Sequence, residues 1–239
     1  DYKRPDGQTV QGYLAEPTNT TGAPGVVVIQ EWWGLDDEVK AVADRLAKAG
    51  YRALVPDLYR GKLALEAKEA EHLMGDLNFG DAASQDIRGA VQYLKATGST
   101  KVAVTGFCMG GALTVLSACH VPEQDGTVVW YGYPPLEYVD AKAITKPMMA
   151  HWAMHDDFFA ILHHHAVDHV GSGRNQIEVE FAFEPFADNL EVQQSEEPDA
   201  EAEAERRRRF GFVHERSVVE FEFVERITEL RVVRAVDWV

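Results

Sequence analysis

The chain reads as an α/β fold, with a mostly parallel central sheet and helices on both faces. Three observations predict this. Continuous apolar runs such as Gly25-Val26-Val27-Val28-Ile29 suit strands buried on both sides, the habit of parallel sheets. Such runs alternate with stretches whose apolar residues recur at helical spacing. Glu31, Cys108 and Asp156 each fall just past the end of an expected strand, where open sheets of this class bind their ligands.

The elements follow in order. Thr9 to Leu14 reads as a short edge strand, bounded by the turn residues Pro5-Asp6-Gly7 and by Pro17. The run Gly25 to Ile29 opens into the loop Gln30-Glu31-Trp32-Trp33-Gly34-Leu35. Asp36 or Asp37 then caps a helix that puts Val39, Val42, Ala43 and Leu46 on one face and stops at Gly50. Tyr51 to Tyr59 is a strand running into a loop. Leu63 to Gly75 reads as a charged, half-exposed helix, and Asp81 to Leu94 as a second, with Ile87, Val91 and Leu94 in one stripe. Strands are expected at Lys101 to Phe107, Thr127 to Gly132 and Pro147 to Ala153, and a further alternating one at Ile177 to Phe183. From Glu196 to Glu205 the chain is acidic and Ala-rich, and four arginines, Arg206 to Arg209, follow. Val218 to Phe223 alternates like a strand where the order of elements calls for a helix, a conflict between local and global signals.

Length and composition set bounds. A chain of 239 residues suits one large α/β domain or two small ones. Its net charge of −16 argues against nucleic acid or an anionic membrane surface as a partner. Beside the acidic stretch, the arginine run reads as a self-neutralising solvated face. Two cysteines make no disulfide framework and fit a reducing compartment, so a cytoplasmic location is expected. No apolar run is long enough to span a bilayer. No signal peptide is visible, although the chain opens on Asp1 rather than Met, which leaves a removed leader open. His165 and His169 are four apart and can share a helix face, but no carboxylate or cysteine stands at ligand spacing beside them. No metal and no cofactor are expected.

The stretch that carries chemistry is Lys101-Val102-Ala103-Val104-Thr105-Gly106-Phe107-Cys108-Met109-Gly110-Gly111, followed by the helix-compatible run from Ala112 to Leu116. Strand, Gly-x-Cys-x-Gly-Gly and helix make a nucleophile elbow with cysteine in the nucleophile's place. Side chains at Gly106 and Gly110 would collide with so sharp a turn, and Gly111 lets the helix start lie close to the sheet. The helix N-terminus aims free N–H groups at the thiol and favours thiolate. Cys119, later on the same helix, reads as an inert core residue. Trp32, Trp33, Trp130 and Tyr131, near strand ends, can either wall an apolar pocket or belong to the core.

From Asp1 to about Ile161 the chain resembles the dienelactone hydrolase family of α/β-hydrolases. The landmarks are Val28-Ile29-Gln30-Glu31-Trp32-Trp33-Gly34, Ala53-Leu54-Val55-Pro56-Asp57-Leu58-Tyr59, Gly106-Phe107-Cys108-Met109-Gly110-Gly111 and His155-Asp156-Asp157-Phe158-Phe159, in that order. The resemblance implies one α/β-hydrolase domain over residues 1–239, poorly matched after about 161. It implies a cysteine-nucleophile hydrolase that opens cyclic esters of the dienelactone kind, or related small carboxylic esters, through an acyl-thioester. Cys108 is then the nucleophile and Asp156 the orienting acid, with Asp157 its less favoured neighbour. Glu31 corresponds to the glutamate that contacts the resting thiol, where like-charge repulsion suppresses thiolate until substrate arrives. The backbone N–H groups of Met109 and Trp32 form the oxyanion hole. The expected partner is a small ester or lactone, and the expected assembly a monomer or weak homodimer.

Two departures accompany the resemblance. Where the family binds its substrate carboxylate with arginines, this chain offers Lys68. The family histidine is absent from its usual neighbourhood, here Phe183-Glu184-Pro185-Phe186-Ala187-Asp188-Asn189-Leu190, and His214 comes much later. The third triad member is therefore unassigned. Three readings stay open: a homologue that has lost its base, a histidine arriving by another path, or residues after Ile161 that differ from the natural molecule's. A protein that kept the fold and now binds a ligand or partner is the alternative to an enzyme.

Overall fold

The computed structural model describes residues 1–153 and 177–182, with side chains to residue 151. These residues fall within one compact unit, Asp1–Ala182. The main sheet among the described residues has the order β3-β5-β4-β6-β7-β8-β9. Its strands are β3 (Gly12–Ala15), β4 (Gly25–Ile29), β5 (Arg52–Pro56), β6 (Val102–Phe107), β7 (Gly126–Trp130), β8 (Met148–Ala153) and β9 (Ile177–Ala182). Every neighbouring pair is parallel except β3 with β5. β4 is buried along its whole length, as its unbroken apolar run requires.

Helix α1 (Asp37–Lys48) is built as its sequence foretells. Asp36 caps it by accepting from the Val39 N–H at 2.9 Å, acidic residues occupy the first turn and basic ones the last. Val39, Val42, Ala43 and Leu46 are all buried. Helix α5 (Met109–His120) has no polar face: Met109 through Ser117 are all buried. Such a helix must lie inside the structure, and α5 packs on β6 and β7. Its buried hydroxyls are satisfied locally, Thr114 donating to the Gly110 carbonyl at 2.8 Å and Ser117 to the Thr114 carbonyl at 2.8 Å.

Three expectations need correction. The single strand at Thr9 to Leu14 is two. β2 (Thr9–Val10) pairs with β1 (Tyr2–Lys3) in a small antiparallel ribbon, whereas β3 joins the main sheet. The chain changes partner at Gln11, whose carbonyl accepts from the Asp57 N–H at 3.0 Å. The helix expected from Leu63 begins only at Ala67, as α2 (Ala67–Asp76). Leu63 and Ala64 are instead held against the loop after β4, by a bridge between Leu63 and Gly34 and by the Ala64 N–H donating to the Trp33 carbonyl at 2.9 Å. The helix expected from Asp81 to Leu94 is interrupted. A short turn, α3 (Phe79–Asp81), runs into a π-helical segment at Ala82–Ile87, and α4 (Arg88–Ala96) follows. The wide turns carry Asp86 inward, almost fully buried, to meet Arg60 at 2.8 Å and Arg4 at 3.5 Å. Burial pushes the Asp86 carboxyl up, and the two guanidinium groups oppose that rise.

Candidate active site

Strand register assembles the site. In the sheet β4, β6 and β7 are consecutive, with Ile29 opposite Gly106 and Phe107 opposite Trp130. Glu31 lies two residues past Ile29, Cys108 two past Gly106, and Tyr131 one past Trp130. All three therefore leave the sheet at the same level on adjacent strands, at the carboxyl edge where α/β sheets bind ligands.

Cys108 occupies the turn between β6 and α5, with φ 53° and ψ −115°. A side chain at a left-handed φ is strained and persists only where the surroundings hold it. Here the Cys108 N–H donates to the Trp130 carbonyl at 3.1 Å, and the Cys108 carbonyl accepts from the Ala112 N–H at 3.1 Å. The glycines are as tightly placed as the sequence foretells. A Cβ on Gly106 would lie 2.4 Å from the Gly110 carbonyl oxygen, one on Gly110 2.6 Å from that of Ile29, and one on Gly111 2.5 Å from that of Trp130. The half-buried thiol thus stands at the N-terminus of a twelve-residue helix. Met109 is the first residue of that helix, so its N–H has no carbonyl a turn earlier to bond.

The loop after β4 supplies the facing wall. Gln30 is fully buried and accepts from the Leu58 N–H at 3.2 Å, tying this loop to the one after β5. Half-buried Glu31 accepts from the Tyr131 hydroxyl at 3.1 Å. Trp32 and Trp33 meet edge to face at 5.2 Å, and Trp32 packs on the main core. Trp130 belongs to the core: it is 3% exposed, stacked on Phe107 at 5.9 Å and on His151 at 4.2 Å. Lys68 is a solvated helix charge on α2.

Tyr59, just past β5, escaped the sequence reading although its position met the same criterion as Glu31 and Cys108. Its buried hydroxyl donates to Met109 Sδ at 3.3 Å. Burial, and then the negative charge available at Cys108, push this phenol well above its ordinary range, so it keeps its proton. Cys119 is half-buried, its Sγ 3.6 Å from the Asp140 carbonyl, and burial raises its thiol. Asp156, Asp157, His165, His169, the arginine run and His214 lie outside the described residues, so the expected acid is not placed here. No helix among the described residues is long and apolar enough to cross a membrane.

Comparisons with known proteins agree with this architecture. The model of the dienelactone hydrolase family matches residues 10–208. A protein named usf from Aquifex pyrophilus is 39% identical over 162 residues, covering 64% of this chain and 69% of its own. A protein of Aquifex aeolicus, provisionally named a carboxymethylenebutenolidase, is 34% identical over 162 residues with the same coverage. Among solved structures, a dienelactone hydrolase-like promiscuous phosphotriesterase from metagenomic libraries superposes with a TM-score of 0.62 at 24% identity, covering 85% of this chain and 91% of that one, a likeness of fold. With a family match across most of its length and a strained elbow between β6 and α5, the chain belongs to the dienelactone hydrolase family and is an ester hydrolase of the α/β-hydrolase fold.

Proposed function

We propose that the chain hydrolyses small carboxylic esters, cyclic ones of the dienelactone kind included, with Cys108 as nucleophile and an acyl-thioester as intermediate. The observation that carries this reading is the elbow: a cysteine held at φ 53° on the N-terminus of a buried helix. A thiol is only a few per cent ionised at neutral pH, so its proton must be taken by a base or drawn off by local positive potential. The start of α5 supplies part of that potential. Asp156 is the orienting acid in this reading, and the histidine it would orient remains unassigned.

The Cys108 thiolate forms a bond to the ester carbonyl carbon, and the carbonyl electron pair moves onto oxygen. The Met109 and Trp32 N–H groups stabilise that oxyanion, each contributing about 3 kcal/mol when aimed at it. The tetrahedral centre collapses, the bond to the alkoxy oxygen breaks, and the leaving oxygen takes up a proton. Water then attacks the thioester, releases the acid and restores the thiol. Glu31 acts before the first step, its carboxylate opposing ionisation of the resting thiol. The substrate is a small molecule.

Iodoacetamide tests the reading. Ester turnover falls in proportion to alkylation of the Cys108 peptide, and substrate protects both. Full alkylation of Cys108 with turnover intact would overturn it.

A further inference from the structure

The Tyr131–Glu31 hydrogen bond joins residues 100 apart in sequence, and its path is unusual. Glu31 follows β4, Tyr131 follows β7, and β6 with Cys108 lies between them. Neighbouring strands are about 4.8 Å apart, so a bond between the outer two spans about 10 Å across the end of the middle one. It therefore crosses the end of β6, the strand that leads into the elbow.

The backbone is bent to make this possible. Tyr131 has φ 32°, and the non-glycine residues with positive φ among those described are Arg60, Cys108 and Tyr131. Two of the three are thus neighbours, on adjacent strand ends, one residue past the register pair Phe107 and Trp130. A tyrosine gains nothing intrinsically from a left-handed conformation. The Tyr131 N–H donates to the His151 carbonyl at 2.9 Å, and its ring lies 6.2 Å from that of Phe107. These contacts fix where the ring leaves the chain, and the hydroxyl then ends on the Glu31 carboxylate.

We propose that Tyr131 is a positioning residue that straps the Glu31 carboxylate over the elbow and so holds the Cys108 thiol in its resting, weakly reactive state. The purpose assigned to the strap rests on the cysteine-nucleophile reading; its effect on thiol reactivity does not require turnover. Phenylalanine at 131 keeps the ring and its backbone contacts and removes only the donor. Without it the carboxylate loses this tie to the end of β7, and its opposition to thiolate weakens.

The test is a double-mutant cycle on alkylation of the Cys108 peptide by iodoacetamide at neutral pH, scored separately from the Cys119 peptide. Y131F and E31Q each speed alkylation about three- to tenfold, and Y131F adds nothing in the E31Q background, because the carboxylate it acts through is gone. The melting temperature of Y131F, read beside it, stays near the parent's. Unchanged or slower alkylation in Y131F, or the same factor in both backgrounds, overturns the proposal. If Y131F unfolds, E31Q alone decides: alkylation no faster than the parent's removes the restraint that the strap is said to impose. The nucleophile reading fails independently, if C108A retains its ester turnover.

Discussion

The C108A protein folds like its parent and hydrolyses esters about a thousandfold more slowly, or worse. Alanine keeps the Cβ, so the strained turn, the hydrogen bond to the Trp130 carbonyl and the start of α5 are undisturbed. The half-buried sulfur leaves a gap that solvent can fill, and stability changes by less than about 1 kcal/mol. What disappears is the atom proposed to form the acyl bond. In the proposed mechanism the residual rate comes from the oxyanion donors and from binding, as in other enzymes stripped of a nucleophile. Steady-state hydrolysis of a chromogenic ester, beside a melting curve, separates lost chemistry from lost fold. Turnover at the parent's rate would remove Cys108 from the mechanism.

Gly132→Ala acts through the same atoms from the other side. A Cβ on Gly132 would lie 2.0 Å from the Cys108 carbonyl oxygen, 2.9 Å from its carbonyl carbon and 3.0 Å from the Ala112 nitrogen. Those atoms are backbone, and the Cys108 carbonyl and Ala112 N–H form an early hydrogen bond of α5. The methyl group can be accommodated only by pushing β7's end away from the elbow. Overpacking costs about 1–3 kcal/mol, and against backbone the upper end is expected, a fall of roughly 5–10 °C in Tm for a chain this size. Displacing the proposed nucleophile by even part of an ångström also costs activity, about a hundredfold for 1 Å. Gly75→Ala is the control: it lies within α2 and nothing approaches its added methyl within 4 Å, so it leaves activity unchanged. A fully active, equally stable Gly132→Ala protein would mean that the elbow is looser than its contacts indicate.

The parts of this structure that could be read in advance are those set by neighbours in sequence. The Gly25–Ile29 run, the Asp36 cap, the buried face of α1 and the glycines of the elbow all follow from local pattern and steric need. The parts that could not be read depend on partners far away. Asp86 looks like an ordinary helix-surface aspartate until Arg4 and Arg60 draw it inward through a π-helical turn. Tyr131 is one more aromatic near a strand end until sheet register brings it to Glu31. Tyr59 gains its meaning only from Met109 Sδ, 50 residues on. Apolar periodicity carries no information about such pairings.

In the proposed mechanism the Cys108 sulfur accepts the acyl group. Rapid acid quenching during turnover of an activated ester, followed by peptide mass spectrometry, tests it most directly. The acyl mass is expected on the peptide carrying Cys108, discharged by hydroxylamine and absent from C108A. Acylation of a different residue, with Cys108 unmodified throughout turnover, would contradict it.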